Sequence, residues 1–121
     1  MKIHTVFPMN KQTNKKGKKM EIVQKIIKLI DKRCKLDNND DFNYSEIRKE
    51  EFLLLTKSLD ETICVLNSLD SNHYFYISEN FEKISMYFKS EELIECMKRN
   101  AIRNGVDCNV DIDYAIKALN D

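Results

Sequence analysis

The groups in this 121-residue chain that could catalyse, bind metal or carry phosphate are two histidines, four cysteines and twenty acidic side chains. His4 stands in a lysine-rich start, which leaves His73 as the sole histidine of the remaining chain. A catalytic or phosphotransfer histidine needs a Cys, Ser or Asp partner at a recognisable spacing, and none accompanies His73. It reads as a structural histidine at the edge of an apolar stripe. Cys34, Cys64, Cys96 and Cys108 form no CxxC and have no histidine pair nearby, so the short ligand spacing of a zinc site is missing. Reduced, buried thiols are expected.

The carboxylates cluster as Glu50 with Glu51, as Glu91, Glu92 and Glu95, and as Asp107, Asp111 and Asp113. A calcium loop alternates oxygen ligands around a turn glycine and closes with a glutamate, and the run "DCNVDID" has neither. Acids in a first helical turn already stabilise the helix dipole, so these groups read as solvated caps. Beyond Gly17 the only glycine is Gly105, too few for a phosphate-cradling loop or a nucleophile elbow. The expectation is a protein that is not an enzyme, with no metal and no cofactor.

Elements to position these groups follow from periodicity. Two glycines and one proline leave few chain breakers, and the length suits a single domain, so an all-α fold of about five helices in a compact bundle or irregular helical pack is predicted. Ile22, Val23, Ile26, Ile27, Ile30 and Cys34 recur at helical spacing, with Lys25, Lys28, Lys32 and Lys35 on the other side. Arg33 and Lys35 suit the dipole at that helix's end. A second helix is expected to be capped by Asn43, with Phe42 stapled onto Ile47, and to run about seven turns to Leu69. "DSN" at 70–72 ends it, and a single helix over 73–88 explains more of "HYFYI" and its sequel than a short strand does. Ser90 caps the next helix, Gly105 closes it, and Asp111 opens a short last one.

Charge divides the chain. Residues 1–19 carry six Lys and no acid, whereas residues 20–121 carry 14 basic and 20 acidic side chains, a split of +6 and −6. The first nineteen residues read as a disordered basic tail and residues 20–121 as one helical domain. The codons of Lys-Gly-Lys-Lys-Met place a purine-rich, ribosome-site-like AAGG shortly before an ATG, so Met20 is expected to be the native start. The acidic body would repel phosphate and attract a basic protein, so no nucleic-acid partner is expected. No run approaches the ~18 apolar residues of a membrane span and no signal-peptide stretch opens the chain, so a cytoplasmic protein without a membrane partner is expected.

Tyr74 to Met97 holds six of the eleven aromatic rings. At ~100° per residue, Tyr74, Ile77, Phe81, Ile84 and Phe88 share one face, while Phe75, Glu79, Glu82 and Met86 share another with Tyr76 at its flank. The first stripe reads as core. The second places two glutamates where burial would be costly without partners, so it is expected to face water or a cationic partner. The partner-binding residues are thus expected to be Phe75, Tyr76, Glu79, Glu82 and Met86.

The runs "YISENFEKISMYFKSEELIECM" and "VDCNVDIDYAIKAL", within residues 72–119, resemble small immunity proteins of bacterial polymorphic and contact-dependent toxin systems. The likeness is one of texture: an aromatic and acidic helix, a Ser-Glu-Glu cap and a short closing helix. It implies a small acidic cytosolic protein that binds a cognate toxin and blocks its active site or a neighbouring surface. The alternative expectation is a helical regulatory adaptor or phosphotransfer module with His73 exposed.

Overall fold

The protein is described by a computed structural model that covers the backbone from Lys2 to Asp121 and the side chains of residues 19–121. It is all-α, and no strand occurs among the described residues. Among the described residues seven helices follow in order: α1 (Lys2–Cys34), α2 (Asp41–Leu55), α3 (Leu59–Ser68), α4 (Ser71–Ile77), α5 (Phe81–Phe88), α6 (Glu91–Asn104) and α7 (Asn109–Ala118). A 3₁₀ turn, Ser78–Asn80, joins α4 to α5. The principal pairings are α5 with α7, α1 with α2 and α3, and α3 with α6. The helix α1 crosses the boundary expected at Met20, and the tail expected over residues 1–19 lies outside the described side chains except for Lys19.

Why these segments become these helices is visible at their ends. Ile22, Val23, Ile26 and Ile30 of α1 are buried at three- and four-residue spacing, the pattern of a helix with one face in a core. The next buried position is Arg33 and not Cys34, which is exposed. The cap of α2 is Asp40, whose carboxylate accepts from the Asn43 backbone N–H at 3.2 Å and from its side-chain amide at 2.9 Å. Asn43 is therefore inside the first turn and is not the cap. The expected staple is also missing, since Ile47 is buried while Phe42 is 73% exposed.

The long helix expected up to Leu69 is two helices. Ser58 accepts from the Glu61 backbone N–H at 3.2 Å and donates to the Glu61 carboxylate at 3.1 Å. That Ser-x-x-Glu pairing starts a helix in the middle of an unbroken apolar line. The Thr62 hydroxyl donates back to the carbonyls of Leu55 and Ser58, which ties the end of α2 to the start of α3.

The expected helix over 73–88 is helical, as read, but interrupted. Asp70 caps α4 through the His73 N–H at 2.9 Å. The interruption at Ser78–Asn80 has a physical cause, because side chains of distant residues take carbonyls there. Arg33 donates to the Tyr76 carbonyl at 3.1 Å and Arg48 to the Glu79 carbonyl at 2.9 Å. Carbonyls held this way no longer need the intrahelical ladder, so the chain can tighten for one turn.

Ser90 caps α6 through Leu93 N–H at 3.1 Å, as predicted. Gly105 takes φ +63° and ends α6, with Val106 N–H donating to Ala101 and Gly105 N–H to Ile102. This is a left-handed close that a glycine adopts without strain. Asp111 does not open α7; the helix starts at Asn109, and Asp111 lies in its first turn, where an acid still favours the dipole.

Candidate partner-binding surface

The aromatic run divides as its spacing predicts. Tyr74, Ile77, Phe81 and Ile84 are fully buried and Phe88 packs partly against the same core. Tyr74 and Phe81 meet edge to face at 5.7 Å, and the Tyr74 hydroxyl donates to the Met97 carbonyl at 2.5 Å. Burial keeps that phenol far above its ordinary ionisation range. The opposite positions face water. Phe75 is 53% exposed, Glu79, Glu82 and Met86 are exposed, and Tyr76 is half-buried.

Two of these five are not independent of the fold. The Glu79 carboxylate pairs with the Arg33 guanidinium, and the Tyr76 ring lies 5.7 Å from the Arg33 carbon with Tyr44 at 5.8 Å on another approach. Arg33 also bonds Glu51 in a two-pronged pair, Nε to Oε2 at 2.9 Å and one terminal nitrogen to Oε1 at 3.1 Å. The same carboxylate accepts from Asn80 at 3.0 Å, and Arg48 Nε stands 4.0 Å away without a hydrogen bond. Burial by itself would lower the Arg33 pKa, but Glu51 and Glu79 more than offset it and hold it above the ordinary value.

This buried cluster departs from the expectation for Glu51. Glu51 reads from sequence as a solvated acid, yet it is 0% exposed. A signal existed: Ile47, Glu51 and Leu55 are spaced by four, which places Glu51 on the buried face of α2. The consequence for the surface is that Tyr76 and Glu79 are presented by a rigid anchor joining α1, α2, α4 and the 3₁₀ turn.

Next to that anchor a cleft of about 360 Å³ opens over Arg33 and Cys34. Its walls include Asp37, Asp40, Asp41, Tyr44 and Tyr76. Three carboxylates and two rings around Arg33, whose own charge is already paired, form an acidic and aromatic surface. The Tyr76 phenol is held above its ordinary value, chiefly by the adjoining Cys34 thiol. At the far end the chemistry changes, since Met86 shares a shallow apolar depression with Phe52, Tyr87 and Lys83. Phe52 and Tyr87 meet there edge to face at 6.3 Å.

His73 is set apart from this surface. Its Nδ1 lies 2.9 Å from Asp70 and its Nε2 lies 2.7 Å from Asp31 of α1. His73, read from sequence as a structural histidine, is a strut between α4 and α1, with its side chain only 14% exposed. Burial lowers its pKa, but its hydrogen bonds to Asp31 and Asp70 outweigh this and raise it above the ordinary value. A raised folded pKa contributes stability that is complete below about 6.5 and is lost as pH rises through the folded value. Urea unfolding followed by circular dichroism should therefore show stability falling as pH goes from about 6 to 8, and the fall should be abolished in His73→Gln.

None of the four cysteines is in a disulfide. Cys96 and Cys108 are buried, Cys64 is half-buried and Cys34 is exposed, so the expectation of buried thiols holds for two of four. Burial, with Asp111 and Asp107 next, pushes the Cys108 thiol up to about 11, and burial also raises Cys96. A thiol-reactive dye at pH 8 should label Cys34 at once and Cys96 and Cys108 only after denaturant is added. Peptide mapping of the labelled chain checks the order.

Among the described residues no three His, Cys, Asp or Glu side chains converge as metal ligands. No helix among them is long and apolar enough to cross a membrane. The fold and surface define an all-α helical pack that presents rings and carboxylates to water. Comparison with protein-family models, with curated proteins and with solved structures gave no match to the chain.

Proposed function

We propose that this chain is a non-enzymatic immunity or inhibitor protein of the bacterial cytoplasm, which binds a basic cognate toxin and neutralises it through an acidic and aromatic surface. The contact residues proposed are Phe75, Tyr76, Glu79, Glu82 and Met86. The observation that carries the reading is that these rings and carboxylates face water on a run whose other face is buried. Exposed rings on a rigid support are what binding hot spots use, because little side-chain freedom is lost on association. The acids add attraction for a basic partner and raise its rate of encounter.

The adaptor reading loses its main support at His73. Phosphorylation of Nδ1 would have to break the contact with Asp70, and of Nε2 the contact with Asp31, and either would place a dianion beside a carboxylate.

Capture from the source cell with the tagged chain, followed by mass spectrometry, tests the proposal: a basic protein with a toxic activity is expected. Binding to that protein is then compared for wild type, Phe75→Ala and Glu82→Lys. Glu82 is the better probe because Glu79 also pairs with Arg33, so a lysine at 79 would disturb the anchor. Each substitution is expected to weaken binding about thirtyfold, the scale of a ~2 kcal/mol hot spot. Unchanged affinity in both would move the interface elsewhere.

A further inference from the structure

A second surface has the opposite charge. A groove of about 500 Å³ lies along α1 and α2, and none of its lining residues belongs to α4, the 3₁₀ turn or α5. From α1 it is lined by Lys25, Lys28, Leu29 and Lys32. From α2 and the residues just after it come Glu50, Leu53, Leu54 and Lys57. Both sets follow the spacing i, i+3, i+4, i+7. Each is therefore one stripe about two turns long, roughly 10 Å of helix axis. Two such stripes side by side make a trough of ridges at the period into which a third helix packs.

The floor and rim specify what that helix would carry. Leu53 is 65% exposed and Leu29 and Leu54 are half-buried, so apolar surface is open to water at the bottom. Four lysines against one glutamate rim it. Lys25 is shared with Glu21 at 3.2 Å, but Lys28, Lys32 and Lys57 have no ion pair or side-chain hydrogen bond among the described residues. Lysine stems lying over leucine, with ammonium groups outward, suit a ligand that is apolar on one face and anionic at its edges. The lysines of α1 read from sequence as a plain solvated face; Leu29, Leu53 and Leu54 make that face a groove.

We propose that the α1–α2 groove docks an acidic amphipathic helix of a protein partner, separately from the surface proposed above. The partner's apolar residues at three- and four-residue spacing would cover Leu53, Leu54 and Leu29, while its flanking Asp or Glu would meet Lys28, Lys32 and Lys57. The two surfaces of one chain would then select partners of opposite charge.

Fluorescence anisotropy on the full chain tests this with three labelled peptides of about 15 residues, lactam-bridged to hold them helical. The first has leucines at helical spacing and glutamates elsewhere, the second has lysines in place of those glutamates, and the third has the first's composition scrambled. The first is expected to bind saturably and at least about tenfold more tightly than the others. Leu53→Ser and Lys28→Glu are each expected to weaken it about tenfold, with helicity and melting unchanged because both side chains are exposed. Equal binding of the basic twin, no saturation up to about 1 mM, or indifference to both substitutions would overturn the proposal. So would Leu53-dependent binding to phosphatidylglycerol vesicles without binding of the acidic peptide, which would make the groove a membrane contact.

Discussion

Glu51→Ala is expected to lower the unfolding free energy by about 3–5 kcal/mol, the range for stripping one partner from a buried ion pair. The reason is what remains. Arg33 would stay buried with only the partly exposed Glu79 as counter-charge, and Asn80 would lose its acceptor. Against a domain stability of roughly 5–15 kcal/mol, that loss is a large share. Arg33→Met is expected to cost a comparable amount, since it leaves Glu51 charged and buried beside Arg48 Nε at 4.0 Å. The double substitution Arg33→Met with Glu51→Leu is expected to be less damaging than either single one, because it removes both charges and fills the space with apolar atoms. Urea denaturation of the four proteins measures the coupling. Additive losses would show that the two side chains do not act as a unit.

The second large effect separates two rings that lie six residues apart. Phe81→Ala should cost about 3–5 kcal/mol, because Phe81 is fully buried against Tyr74 and its removal leaves a cavity. Phe75→Ala should cost less than about 1 kcal/mol, because half of that ring is in water. The same urea series decides it. Equal losses at the two positions would mean that the exposed stripe belongs to the core and would remove it as a binding surface.

These two stripes were legible because the buried positions Tyr74, Ile77, Phe81 and Ile84 keep three- and four-residue spacing even across the 3₁₀ turn. The turn itself was not legible. Its cause is Arg33 and Arg48 reaching carbonyls 43 and 31 residues away, and periodicity carries no information about such contacts. The break between α2 and α3 had a local signature, Ser58 with Glu61, but the apolar line from Phe52 through Leu55 and Leu59 continued past it. Hydrophobic spacing alone cannot distinguish one long helix from two whose apolar faces happen to remain in phase. The cap at Ser90 and the close at Gly105 were readable because each depends on one residue and its near neighbours. His73 was placed correctly at the edge of a stripe, but its tie to Asp31 spans 42 residues and needed the fold.

The acidic and aromatic surface is legible in the same partial way. The spacing of Phe75, Tyr76, Glu79, Glu82 and Met86 places them together, and all five are at least partly open to water. The neighbouring carboxylates Asp37, Asp40 and Asp41 come from the loop and cap before α2, so only the packing of α1 on α2 brings them beside Tyr76. Lys83, next to Met86, makes the far end less acidic than the stripe predicted.

The most direct test of the central claim is growth of cells that co-express the captured basic partner with this chain. Wild type should restore growth, whereas Phe75→Ala combined with Glu82→Lys should fail to do so at equal abundance and unchanged melting temperature. A partner that is harmless alone, or a double variant that protects as well as wild type, would contradict the account.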